Sequence, residues 1–177
     1  MEMRWSLDVL YPSFDSPELQ KDWDKLCSEM KELKAWSKEH LHGQDDAVNK
    51  METYITKLTS VLQTQSRLYH FAELTASVDA KNERALQLVE RIQEQAVELV
   101  EPGVQFQKWL GSLSGLESLI SQSPLLETHR FFLTETAQKA KYLLSEKEEI
   151  ILAKMKNTGS NAWSKLQELL TSTLMVD

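Results

Sequence analysis

Four histidines, one cysteine and the carboxylates near them are the residues of this chain whose chemistry could serve a metal or a nucleophile. Glu39 stands three residues before His42, with His40 between them. A Glu-x-x-His pair on a helix presents two ligands to one ion, and di-metal helical bundles use two such pairs plus two further inward carboxylates. No second pair exists here, because Ser37, Arg67 and Leu126 stand three residues before His40, His70 and His129. His40 and His42 therefore read as solvated helix-end residues. His70 and Glu73 are one turn apart, but two ligands do not make a zinc site. That spacing points instead to a hydrogen-bonded histidine between helices, and His129 beside Arg130 reads as a surface or interhelix residue.

Cys27 falls beside the apolar stripe of its helix and reads as a structural thiol, since no activating partner can be named for it. The zinc signature His-Glu-x-x-His, a glycine-rich phosphate loop and a Gly-x-Ser-x-Gly elbow are all absent from the sequence. The five tryptophans could line a ligand box, yet Trp23, Trp36, Trp109 and Trp163 fall on or beside helical stripes and are expected in the core. The expectation is a chain with no catalytic, cofactor-binding or metal-ligating residues of its own.

The elements that would position these residues are helices. With 177 residues the chain is one domain long and can bury a core. Only 5 glycines and 4 prolines leave little turn chemistry for an all-β fold. A formal net charge of -7 argues against nucleic acid and against an anionic membrane surface. A single cysteine fits a reducing compartment, and no leader or spanning run is visible, so a cytoplasmic location is expected.

Residues 1–14 are expected to be extended, with Tyr11-Pro12 disfavouring helix. Asp15 or Ser16 then caps a helix with Pro17 in its first turn, and Leu19, Trp23, Leu26, Met30 and Leu33 share one face, continued by Trp36 or Ser37. A second helix carries Met51, Ile55, Leu58, Leu62, Tyr69 and Ala72. A third carries Ala85, Val89, Ile92, Ala96, Leu99, Phe106 and Leu110, with a kink expected at Pro102-Gly103. These two form a long antiparallel hairpin in this reading. Its outer charges, among them Lys50, Glu52, Glu90 and Glu94, read either as a solvated surface or as the wall of a groove for a peptide or partner helix. Shorter elements follow: a helix near 111–122, one opened by Pro124, one opened by a Ser145–Glu148 capping box, and one capped by Ser160 with a core face of Trp163, Leu166, Leu169 and Leu170. The fold class is all-α, a multi-helix bundle of about seven helices forming one domain over 1–177. Residues 171–177, TSTLMVD, read as the start of a strand.

Three stretches, in order along the chain, resemble the N-terminal region of oligoendopeptidase F and its thimet-oligopeptidase-like zinc metallopeptidase relatives. The first is WSLDVLYPSFDSPELQKDWDKL, with Trp5, Leu7, Leu10, Tyr11, Pro12, Phe14 and Asp15 matching. The second is RLYHFAELTASVDAKNERA. The third is YLLSEKEEIILAKMKNTGSNAWSKLQELLTS, with Leu144, Ser145, Glu149, Thr158, Gly159, Ala162, Trp163 and Leu166 matching. The resemblance implies a non-catalytic helical domain that forms one wall of the channel of an oligopeptide-hydrolysing enzyme. It implies that zinc belongs to the full-length parent and not to this chain, whose own peptidase activity is expected to be nil. The partners implied are the catalytic region of the same polypeptide and oligopeptide substrates, with an exposed apolar face there promoting self-association. The alternative is a stand-alone helical interaction module, which would leave no large apolar patch uncovered.

Overall fold

A computed structural model describes residues 6–174, the Glu146 side chain excepted. Trp5 and the last part of the expected strand, 175–177, lie outside the described residues. Among the described residues the fold is all-α: α1 (Pro17–His40), α2 (Ala47–Val78), α3 (Glu83–Ala96), α4 (Val100–Ser112), α5 (Leu116–Ile120), α6 (Pro124–Thr128), α7 (Arg130–Lys139), α8 (Glu146–Thr158) and α9 (Ser160–Thr173). The seven helical stretches read from sequence become nine because two of them are divided. One divides at a 3-10 turn, Val97–Leu99, and the other at His129.

The first division corrects the expected kink. Helix α4 runs unbroken through Pro102 and Gly103, and the α-helical pattern is interrupted one turn earlier, at the 3-10 turn. Pro102 offers no N–H to the carbonyl four residues back, that of Glu98, and its ring crowds that carbonyl. The disturbance therefore falls on the turn before the proline. As a result α3 packs on α2, whereas α4 packs on α1, α7 and α8.

Ser16 caps α1, its hydroxyl accepting from the Leu19 N–H at 3.3 Å. The segment before it is a turn and not extended chain: the Leu7 carbonyl accepts from the N–H groups of Leu10 and Tyr11. That turn is clasped onto α1 and α2. The buried Tyr11 donates to Asp22 at 2.6 Å, and Arg67 lies over its ring while donating to Asp22 and to the Leu10 carbonyl. Burial first, then the bond to Asp22, pushes the Tyr11 phenol above the ordinary tyrosine range.

The core runs from Tyr11 to Leu133 and is centred on α2, whose buried side chains include Met51, Tyr54, Val61, Leu68 and Ala72. Leu62, expected in the α2 stripe, is exposed, and Val61 takes its place. Lys50, expected on the outer face, is buried: its ammonium donates to the His42 carbonyl at 2.9 Å and pairs with Asp45 at 3.2 Å. Those bonds close the α1–α2 loop, where Gly43 at φ 64 adopts the left-handed conformation.

An aromatic cluster ties α4 to its neighbours. Tyr54 of α2 stacks on Phe106 of α4 with centroids 3.7 Å apart, and Trp109 and Phe132 flank Phe106. The Trp109 indole donates to the Gly43 carbonyl at 2.8 Å, anchoring the α1–α2 loop on α4. Phe106→Ala is expected to destabilise the protein by roughly 3–5 kcal/mol. Trp109→Phe, which keeps most of the packing and loses the donor, is expected to cost about 1 kcal/mol. Urea unfolding followed by circular dichroism reads both values.

Candidate functional site

The residues singled out for chemistry are not brought together. His40 bonds the Trp36 carbonyl through Nδ1 at 2.9 Å and stacks on the Trp36 ring. His129 bonds the Leu125 carbonyl in the same way. His70 is exposed and pairs with Glu73 of its own helix at 3.4 Å, so it does not bridge helices as its spacing suggested. Cys27 is half-buried. Among the described residues no three His, Cys, Asp or Glu side chains converge where they could hold a metal ion. The residues present do not fit a zinc centre, and no chemical step is assigned to one in this chain.

What distinguishes the molecule is apolar surface at its C-terminal end. After Leu133 no described residue is buried. Helix α8 starts at a complete capping box: the Ser145 hydroxyl accepts from the Glu148 N–H, and the Glu148 carboxylate accepts from the Ser145 N–H. Gly159 ends α8 and also precedes the first residue of α9, so Ser160 lies inside α9 and does not cap it. A Cβ at Gly159 would stand 2.8 Å from the Met155 carbonyl oxygen, which keeps this junction a glycine.

The α9 face expected in the core is uncovered. Trp163 is 72% exposed and Leu170 56%, with Leu166 and Leu169 also largely open. On α8, Ile151 and Met155 are exposed as well. The period of these residues is that of a buried helical face, but among the described residues nothing covers it.

Between α9 and the α2–α3 pair lies an open groove of about 810 Å³. Tyr69 and Glu73 of α2 form one wall, Leu86 and Glu90 of α3 the floor side, and Leu166, Glu168 and Leu169 of α9 the other wall. Burial pushes the Tyr69 phenol upward, and the carboxylates of Glu73 and Glu168 push it further. The α8–α9 pair is held beside this groove by Asn157, which donates to the Gln93 carbonyl of α3 at 3.2 Å and accepts from Asn161.

Comparison with known families falls on this same end of the chain. Residues 114–175 match Oligopeptidase F. The matching family is the peptidase M3 N-terminal domain, and the match spans the uncovered helices α8 and α9 together with α5, α6 and α7. It contains the third stretch of sequence resemblance, 142–172, and supports an oligopeptidase F N-terminal region; the first two stretches lie before it. No curated protein and no solved structure matches the chain. Within the matched segment the buried described residues are confined to its first third, at Ile120, Ser123, Leu126 and Leu133. Among the described residues no helix is long and apolar enough to cross a membrane.

Two signals in the sequence were open to another reading. The period of α9 marked a core face, yet Trp163, Leu166, Leu169 and Leu170 are all exposed. Glu90 marked the groove wall only as one of two alternatives.

Amide exchange is expected to be slowest in α1, α2 and α4 and markedly faster in α8 and α9, where burial is least. Hydrogen bonding to Ser145 holds the Glu148 carboxyl below the ordinary glutamate range. Its contribution to the start of α8 is therefore complete above the unfolded value of about 4.3 and is lost as pH falls through the lower folded value. Protection from exchange, taken relative to an unstructured chain at the same pH, should fall in the first turn of α8 on that acidification, and Glu148→Gln should remove that fall.

Proposed function

We propose that this chain is the non-catalytic N-terminal helical domain of an oligoendopeptidase F-like zinc metallopeptidase that hydrolyses short peptides in the cytoplasm. In this reading it forms one wall of the substrate channel, and α8 and α9 dock on the catalytic region of the same polypeptide. The observation that carries it is the coincidence of the family match with the uncovered apolar faces of α8 and α9. A face of helical period carrying Trp163 and Leu170 of α9, together with Ile151 and Met155 of α8, is what a helix pair shows when its neighbour is on another part of the protein. The same patch weighs against a self-contained interaction module.

Zinc bound by the catalytic region would polarise the scissile carbonyl and activate water. The contribution of this chain is binding and shape: it limits access to peptides that fit between its helices and the catalytic region. With the docking face uncovered, the isolated chain is expected to self-associate as its concentration rises, read by sedimentation.

The deciding experiment extends the coding frame past Asp177 and purifies the longer product beside the 177-residue chain. The longer product is expected to contain His-Glu-x-x-His and to cleave a quenched fluorescent oligopeptide in a chelator-sensitive manner, while the 177-residue chain cleaves none. Trp163→Asp with Leu170→Asp should lower that cleavage by loosening the docking. Chelator-sensitive cleavage by the 177-residue chain alone, or a stop codon directly after Asp177, would sink the proposal.

A further inference from the structure

The groove beside α9 combines apolar walls with an excess of negative charge. Leu86, Leu166 and Leu169 face it from both sides, each about two-fifths exposed, although leucines at these helical positions ordinarily find cover. Glu73, Glu90 and Glu168 line it against a single cation, Lys165. Glu73 shares its charge with His70, while neither Glu90 nor Glu168 enters an ion pair among the described residues. The carboxylates of Glu73 and Glu168 both act on the Tyr69 phenol, so charge from opposite walls converges on one point of the groove.

We propose that this groove binds a peptide segment carrying a basic side chain flanked by apolar residues. The leucines of α3 and α9 take the apolar flanks, and Glu73, Glu90 and Glu168 face the cation. This rests on the peptidase reading above and adds a substrate class to it: basic, partly apolar oligopeptides are favoured over acidic ones. Charge decides between the occupants. A second copy of the chain has a formal net charge of -7 and would bring like charge to an acidic groove. A basic peptide gains attraction where a second copy meets repulsion. An open volume of about 810 Å³ admits a short length of chain without closing over it.

Fluorescence anisotropy of the 177-residue chain with two labelled probes tests this. One probe is a short leucine-rich peptide with central lysines, and the other is the same peptide with glutamates in their place. The lysine peptide is expected to bind about tenfold or more tightly than its acidic counterpart, with the difference shrinking as salt is added. The combined variant Glu73→Gln, Glu90→Gln, Glu168→Gln should weaken lysine-peptide binding roughly tenfold, as three exposed charges imply. Leu169→Ser should weaken both peptides alike. Helicity by circular dichroism checks that these surface changes leave the fold intact, and Glu168→Lys alone offers a second variant with the same expected direction. Equal binding of the two peptides, no binding of either, or a dimer in sedimentation that Leu169→Ser dissolves and Trp163→Asp with Leu170→Asp does not would each overturn the proposal. Because every arm reads binding by the chain itself, such a failure leaves the peptidase reading to stand or fall on cleavage by the longer polypeptide.

Discussion

Phe106 is the point at which the separate helical layers become one body. Its ring stacks on Tyr54, meets Trp109 and faces Phe132, so α2, α4 and α7 share a single aromatic contact region. Offset and tilted aromatic pairs add to what burial alone supplies. Trp109 extends the arrangement by holding the loop between α1 and α2 at Gly43. The 3-10 turn at Val97–Leu99 separates α3, packed on α2, from α4, which carries Phe106 to this position.

Polar contacts arrange the periphery of that core. Lys34 of α1 reaches Glu98 in the 3-10 turn and Glu101 in α4, and Arg91 of α3 covers Trp23 of α1. Arg84 pairs with Asp15 while lying over Phe14. Pairs this exposed add little stability each, but they fix the relative rotation of helices whose apolar faces would tolerate several. The C-terminal end has no comparable set. The Asn157 link to Gln93 is one hydrogen bond, and burial beyond Leu133 is slight. Burial therefore thins along the chain and is least in α8 and α9, within the segment that matches the peptidase family.

Much of this was legible in sequence, for reasons specific to particular residues. Pro17 after Ser16, and Glu148 three residues after Ser145, are local signals whose geometry is set within one helical turn, and both gave the expected caps. Leu26, Met30 and Leu33 are buried as their spacing requires. Failures arose where a decision depends on distant partners. Val61 and Leu62 are adjacent and equally apolar, so only the placement of neighbouring helices on both sides of α2 decides which is buried. Lys50 carries the charge of a surface residue, yet its long stem and the His42 carbonyl let it sit inside. The 171–177 reading met helix at 171–173, because the Leu166–Leu170 period carries α9 through Thr173. For the candidate site, the identities of its residues were visible, but the groove needs α9 to stand off from α2 and α3, and no single helical period contains that distance.

The junction at Gly159 gives the C-terminal end a mechanical character. Helix α9 contacts the rest of the molecule chiefly through α8, and it spans 14 residues, about 21 Å at the usual rise. It is an arm joined to α8 at one residue. A rotation of about 10° at Gly159 would carry its far end through about 4 Å, given that length. The width of the groove and the direction of the Trp163–Leu170 face are therefore governed by the same angle, and neither can change without the other.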